Sequence, residues 1–161
     1  MRKIQNPFLH KDGYNCFGCA PQNALGLQMT FYEDGDQIVS FWTPQPQFQG
    51  WINTLHGGIT STLIDEVAYW TICRKLQTAA VTAKLSVNFR LPIDINEEQL
   101  TLKAKITSQK AMFVSVEVKV YNAKQQLCAE GEALYRTMSK DVSTEMGFTS
   151  CELEGDPMLP L

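Results

Sequence analysis

Two short stretches hold the side chains best able to do chemistry. The first is His56-Gly57-Gly58, followed seven residues after Gly58 by Asp65-Glu66. From Ile59 through Leu76 the chain has neither Gly nor Pro, so a helix is expected near 57–76. A helix N-terminus presents free N–H groups and the positive end of the dipole. Gly57 and Gly58 let a substrate carbonyl come close to that backbone, which can then stabilise an oxyanion. Asp65 lies roughly 10–12 Å further along the same axis. One carbonyl therefore cannot touch both in a single subunit, whereas two antiparallel copies about a two-fold axis bring one helix's glycines near the other's Asp65. His56 is a candidate ligand contact or a loop histidine satisfied by its neighbours. Glu66 points about 100° further round the helix than Asp65 and reads as an ion-paired or rim carboxylate. Tyr69 and Trp70 read as core or wall. The second stretch, Cys16-Phe17-Gly18-Cys19, has the spacing of half a zinc site. The other half is missing from the sequence: only His10 is nearby, and Cys73, Cys128 and Cys151 are isolated. The reading is a packed loop with two small apolar thiols and no metal.

These residues need a scaffold. Ile59, Leu63, Val67 and Trp70 fall on one side of the helix, and Ile64, Ala68, Thr71 and Ile72 widen the apolar arc past half the circumference. Six segments alternate apolar and polar: 26–33, 37–43, 81–91, 99–108, 111–121 and 127–137. Turns are expected at Glu33–Asp36, where Gly35 tolerates positive φ, at Ser108–Lys110 and at Asn122–Gln125. Strict alternation with short connections means an antiparallel sheet. The class is α+β, in the order β-β-α-β-β-β-β. One sheet face covers one side of the helix, so the remaining apolar arc is assigned to a second copy, and a homo-oligomer, dimer or dimer of dimers, is expected. The division is a structured loop over 1–25, a domain over 26–138 and a tail over 139–161.

With 161 residues, 44% apolar and 19% charged, the chain reads as one ordinary globular domain. A net charge of -3 leaves no footprint for nucleic acid or an anionic membrane. No uncharged run reaches the roughly 20 residues of a membrane span. The two basic residues at the start have no apolar run behind them, so no secretory signal is read. Five scattered cysteines do not make a disulfide framework, and a cytoplasmic protein with reduced thiols is expected.

The stretch Leu55-His56-Gly57-Gly58-Ile59, with Asp65 six residues on, resembles the HGG-containing branch of the hotdog-fold acyl-CoA thioesterases. That branch includes the phenylacetate-degradation and thioesterase-superfamily-member types. The run Val81-Thr82-Ala83-Lys84-Leu85-Ser86-Val87-Asn88-Phe89-Arg90-Leu91-Pro92-Ile93 resembles the family strand that follows the helix, and Asn15-Cys16-Phe17-Gly18-Cys19 with Gly26-Leu27 resembles an opening segment of many members. The resemblance covers residues 15 to about 137. It implies a hotdog fold, with one long helix wrapped by an antiparallel sheet of five to six strands, and hydrolysis of an acyl-CoA at a site shared between subunits. Coenzyme A is part of the substrate and no cofactor is implied. Carried over, Asp65 is the catalytic carboxylate, as general base or nucleophile. Gly57, with Gly58 behind it, is the oxyanion donor, His56 orients the thioester or the loop, and Thr82 supports the carboxylate across the dimer. Many members place water with an Asn or Gln six residues before the histidine. Gly50 stands there in this chain, and Gln49 is one position away. Arg90 and Lys110, at a strand end and in a turn, are where the family often contacts coenzyme A; each is also an ordinary surface cation. Two alternatives share the fold: an acyl-thioester dehydratase, against which the absence of a His-Phe-Pro loop counts, and a non-catalytic acyl-CoA-binding or regulatory module.

Overall fold

The computed structural model describes residues 1–157. One long helix, α1 (Gly57–Leu76), lies across a single antiparallel sheet. The strands are β1 (Arg2–Lys3), β2 (Phe31–Asp34), β3 (Gln37–Trp42), β4 (Ala80–Phe89), β5 (Leu100–Lys110), β6 (Phe113–Tyr121) and β7 (Leu127–Thr137), in spatial order β1-β2-β3-β5-β6-β7-β4. This is the α+β hotdog arrangement, with the expected β-β-α-β-β-β-β core. The two-residue β1 precedes it, and a short α2 (Lys140–Glu145) follows.

The sheet face under α1 is lined by Ile38, Leu102, Ala104, Val116, Val118, Ala129, Ala133 and Tyr135, all buried. Gly131 sits among them because the helix comes too close for any side chain: a Cβ there would lie 2.6 Å from Ile64 Cγ2. That approach lowers the middle of α1 onto β7 and brings the residue after Ile64, Asp65, within reach of the sheet.

Three sequence expectations are corrected. The first concerns the excess apolar arc of α1, assigned above to a second copy. The chain's own N-terminal segment covers it. Phe31 stacks on Trp70 with ring centroids 4.7 Å apart, and Cys19, Leu27 and Met29 close the same side. Trp70, Ile72 and Cys73 are thereby buried within one chain, so the helix by itself gives no argument for an oligomer. Second, the strand expected over 26–33 is short. Leu27 and Met29 instead donate their amides to Phe17 and Gly18 carbonyls, at 2.7 and 2.9 Å, and regular pairing starts at Phe31. Third, the turn expected at Ser108–Lys110 is strand, with Lys110 opposite Phe113. Ala111 takes the positive φ, 51°, that turn chemistry normally gives to Gly or Asn. Nothing in an alanine announces that.

The hairpin at Gly35, with φ 61°, forms as expected. Residues 139–157, which the sequence alone presents as a tail, carry α2 and then cross the end of α1. Phe148, Cys151 and Leu153 are buried there, Arg74 Nη1 donates to the Cys151 carbonyl at 2.8 Å, and Gln77 exchanges hydrogen bonds with Cys151 at 2.9 and 3.0 Å. The tail expected over 139–161 ends in residues 158–161, which lie outside the described ones. Among the described residues no helix is long and apolar enough to cross a membrane.

Candidate active site

Asp65 stands on the strip of α1 that the sheet and the N-terminal segment leave partly open. Two hydroxyls converge on its Oδ1: Thr82 Oγ1 donates at 3.0 Å, and Tyr135 OH lies at 2.6 Å, also 2.7 Å from the Asp65 backbone carbonyl. The shorter contact falls in the range of charge-assisted O–H···O⁻ bonds. Tyr135 is buried, and its phenol is held protonated by that burial and by the Asp65 charge. Among the described residues Oδ2 accepts from no protein donor, and no buried side-chain oxygen is left unsatisfied, so Oδ2 is the oxygen open to solvent. The arrangement is a carboxylate fixed through one oxygen and free at the other, as a group that takes a proton from water requires.

A β-bulge makes this possible. β4 pairs with β7 in register from Phe89 back to Lys84, and the register shifts between Lys84 and Thr82. Plain alternation groups Thr82 with Lys84 and Ser86, away from Leu85 and Val87. The extra residue, Ala83, turns Thr82 toward the helix instead. The resemblance has Thr82 acting across a dimer; here the contact is made within one chain. Tyr135 was not among the sequence-based candidates. Its signal was there to read, as a tyrosine at an inward position of a strand whose other inward residues are small or apolar, since a buried phenol needs a partner.

The N-terminus of α1 is a second cluster. His56 is the N-cap, and its Nδ1 accepts the Gly58 amide at 2.9 Å. That bond leaves the ring's Nε2 to carry the proton in the neutral form, and it uses the Gly58 N–H. The Gly57 amide has no acceptor among the described residues, so it is a free donor at this end. Gly50 packs against His56 Cα and Cδ2, where a Cβ would sit at 3.2 Å from each. Gln49 Oε1 accepts from the Asn53 amide at 2.8 Å, a bond within the loop that leads to the helix. Beside Gly57 a pocket of about 280 Å³ is lined by Thr54, Leu55, Thr60, Phe89, Arg90 and neighbouring residues.

The chain brings together Asp65 with Thr82, and His56 with Gly58, but it does not bring the two clusters together. Gly57 and Asp65 are eight residues apart on one straight helix, roughly 12 Å. Along β4 the Thr82 end faces Asp65 and the Phe89 end faces Gly57. Arg90 lies beyond the Gly57 end, where it pairs with Glu130 through Nε at 3.1 Å and Nη2. Lys110 lies at the β5–β6 hairpin, across β6 and β7 from the Val81 end of β4.

Glu66 is not the ion-paired or rim carboxylate expected of it. Among the described residues no cation contacts it. Its Oε1 accepts from Trp70 Nε1 at 3.0 Å, Cys16 Sγ is 3.7 and 3.9 Å from its two oxygens, and burial pushes its pKa up to about 7, aided by the charge on Cys16.

Comparison with known proteins agrees with this fold. Residues 52–129 match the family model described as Thioesterase superfamily. A solved thioesterase superfamily protein superposes with a TM-score of 0.68 at 25% identity, over 75% of this chain and 62% of that one, so this chain spans about three-fifths of that protein's length. Escherichia coli PaaI, from the phenylacetic acid degradation operon, superposes with a TM-score of 0.63 at 20% identity, over 70% of this chain and 81% of its own. A hypothetical thioesterase from Streptococcus pneumoniae, solved with coenzyme A, has a TM-score of 0.64 at 16% identity, over 69% of this chain and 89% of its own. No curated protein matches the sequence. The motif-bearing segment and the helix-on-sheet architecture point the same way: the middle of the chain, residues 52–129, is similar to the thioesterase superfamily, and the chain takes the hotdog fold of the solved thioesterases it superposes on.

Proposed function

We propose that this protein hydrolyses an acyl-CoA thioester to the free acid and coenzyme A, as a member of the HGG-containing branch, with Asp65 as the catalytic carboxylate. The observation that carries the reading is the tethering of Asp65 through Oδ1, with Oδ2 open. In the proposed step Oδ2 takes a proton from water as the oxygen attacks the thioester carbonyl, or attacks it directly. The oxyanion that forms needs a preorganised donor, and the free Gly57 amide supplies it. Since Gly57 and Asp65 are too far apart in one chain, the donor comes from a second copy.

The sheet supports that pairing. Among the described residues β4 is an edge strand of ten residues, hydrogen-bonded only to β7, and Val81, Phe89 and Leu91 are exposed along and just beyond it. A long apolar edge invites another strand. Antiparallel pairing of two β4 edges about a two-fold axis sets the Phe89 end of one chain, with its Gly57, beside the Thr82 end of the other, with its Asp65. The same operation moves Arg90 of one copy toward Lys110 of the other, which makes these two cations the candidates for coenzyme A phosphates. The coenzyme A complex of the pneumococcal relative is in line with a ligand of this class.

The test is thiol release over a panel of acyl-CoAs, with wild type and Asp65→Asn compared on the best substrate and both sized by sedimentation. Loss of a general base costs roughly 10²–10⁴ in rate, and the asparagine variant should lose at least that while remaining folded and at least dimeric. Binding of acyl-CoA without turnover by wild type refutes the hydrolase reading. A monodisperse monomer of about 18 kDa that turns over substrate refutes the shared site.

A further inference from the structure

The half zinc site in the sequence finds its missing part in the helix. The segment around Cys16-Phe17-Gly18-Cys19 folds onto the middle of α1 against Glu66. The fit is close enough that a Cβ on Gly18 would lie 2.3 Å from Glu66 Oε2. Cys16 Sγ, Cys19 Sγ and a Glu66 carboxylate oxygen all lie within 4.8 Å of one another. For a tetrahedral zinc with sulfur at about 2.3 Å and oxygen at about 2.1 Å, neighbouring ligand atoms sit about 3.6 Å (S···O) and about 3.8 Å (S···S) apart. The contacts from Cys16 Sγ to the two Glu66 oxygens are 3.7 and 3.9 Å. That is long for a strong hydrogen bond and close to the separation of two ligands on one ion.

We propose that Cys16, Cys19 and Glu66 form a binding site for a borderline-soft divalent cation of the zinc type, which pins the N-terminal segment to the centre of α1.

The surroundings have the features of a metal shell. Glu66 is a largely buried carboxylate that no cation contacts among the described residues, and a buried charge needs pairing. Outer groups orient the ligands, as metal sites require: Trp70 Nε1 donates to Glu66 Oε1 at 3.0 Å, and Tyr14 OH is 3.0 Å from Cys19 Sγ. The latter is a hydrogen-bond distance, shorter than a ligand–ligand spacing, so Tyr14 serves the sulfur and the fourth coordination position falls to water. A pocket of about 250 Å³ bounded by Phe8, Tyr14, Cys16, Cys19, Glu66 and Tyr69 holds that position. Binding displaces to solvent the protons still on the thiols and on Glu66.

The experiment uses the full chain, freed of metal by a chelator, kept reduced with a non-coordinating phosphine and titrated with Co²⁺. One equivalent per chain should bring up near-ultraviolet sulfur-to-cobalt charge transfer and the intense visible bands of a tetrahedral ion, and Zn²⁺ should bleach both. Cys16→Ser and Cys19→Ser should abolish the charge-transfer band, Glu66→Gln should weaken binding by at least about tenfold, and Cys128→Ser should leave it unchanged. Absence of the band in the wild type, or cobalt bound as tightly by Glu66→Gln, overturns the site. If Glu66→Gln fails to fold, X-ray absorption of the zinc-loaded wild type decides: two sulfurs with oxygen neighbours support it, and four sulfurs or none overturn it. None of these readouts involves thioester hydrolysis, so the outcome is independent of the proposed activity.

Discussion

Tyr135→Phe isolates the contact that distinguishes this site. The substitution removes one oxygen from a buried ring and leaves its packing in place, with no unsatisfied donor behind. What is lost is the 2.6 Å bond to Asp65 Oδ1. Hydrogen bonds to charged groups contribute roughly 1.5–3 kcal/mol, and about 1.36 kcal/mol corresponds to tenfold in rate. If the bond acts by holding Oδ2 toward the attacking water, kcat should fall by roughly ten- to a hundredfold with KM little changed. Thr82 is exposed and sits further away, at 3.0 Å. Its net value is nearer the ordinary ~0.5–1.5 kcal/mol, so Thr82→Val should lose about tenfold or less. Both donors hold the same oxygen, so the double variant should deviate from the product of the single effects. The assay is kcat and kcat/KM by thiol release on one acyl-CoA, with unfolding curves for all four proteins. A folded Tyr135→Phe that keeps most of the wild-type kcat, or a Thr82→Val that is the more damaging, refutes the positioning argument. A loss confined to KM assigns Tyr135 to substrate binding instead.

Two further predictions concern what holds the site together. Gly131→Ala places a methyl 2.6 Å from Ile64 Cγ2; overpacking of this kind costs about 1–3 kcal/mol, and because it lifts α1 from β7 it should lower urea stability and turnover together, whereas unchanged stability contradicts the close approach. Glu33 binds Arg74, through Nε and Nη2 at 3.2 and 3.1 Å, and Lys75. Burial alone pushes Glu33 up, but Lys75 and Arg74 outweigh it and hold its carboxyl below the usual range. Its contribution is therefore complete above the ordinary carboxylate pKa and is lost as pH falls through the lowered folded value. Glu33→Gln should cost about 1–2 kcal/mol near neutrality, and the gap from wild type, followed by thermal unfolding, should close below about pH 4; a gap constant across that range rules out the ion pair as the source.

Several features were legible in the residues themselves. The helix from Gly57 to Leu76 follows from the long run without Gly or Pro that begins just after His56-Gly57-Gly58. The strands follow from period-two alternation, and Asp65 and Glu66 stand out as two acids inside a mostly apolar helix. These are local properties, set by neighbours three, four or two residues away, and local sequence carries them. The rest depended on contacts between distant segments. Tyr135 meets Asp65 across 70 residues only because Gly131 lets the helix descend. Thr82 faces the helix because of a bulge that alternation cannot show. The apolar side of Trp70 and Ile72 could equally have been covered by a second copy or by the chain's own first thirty residues, and only their placement decided for the latter. Glu66 reads as a surface acid until the Cys16–Cys19 loop is laid over it. A carboxylate's chemistry is set by which groups share its desolvated surroundings, and those groups are chosen by tertiary packing rather than by spacing along the chain.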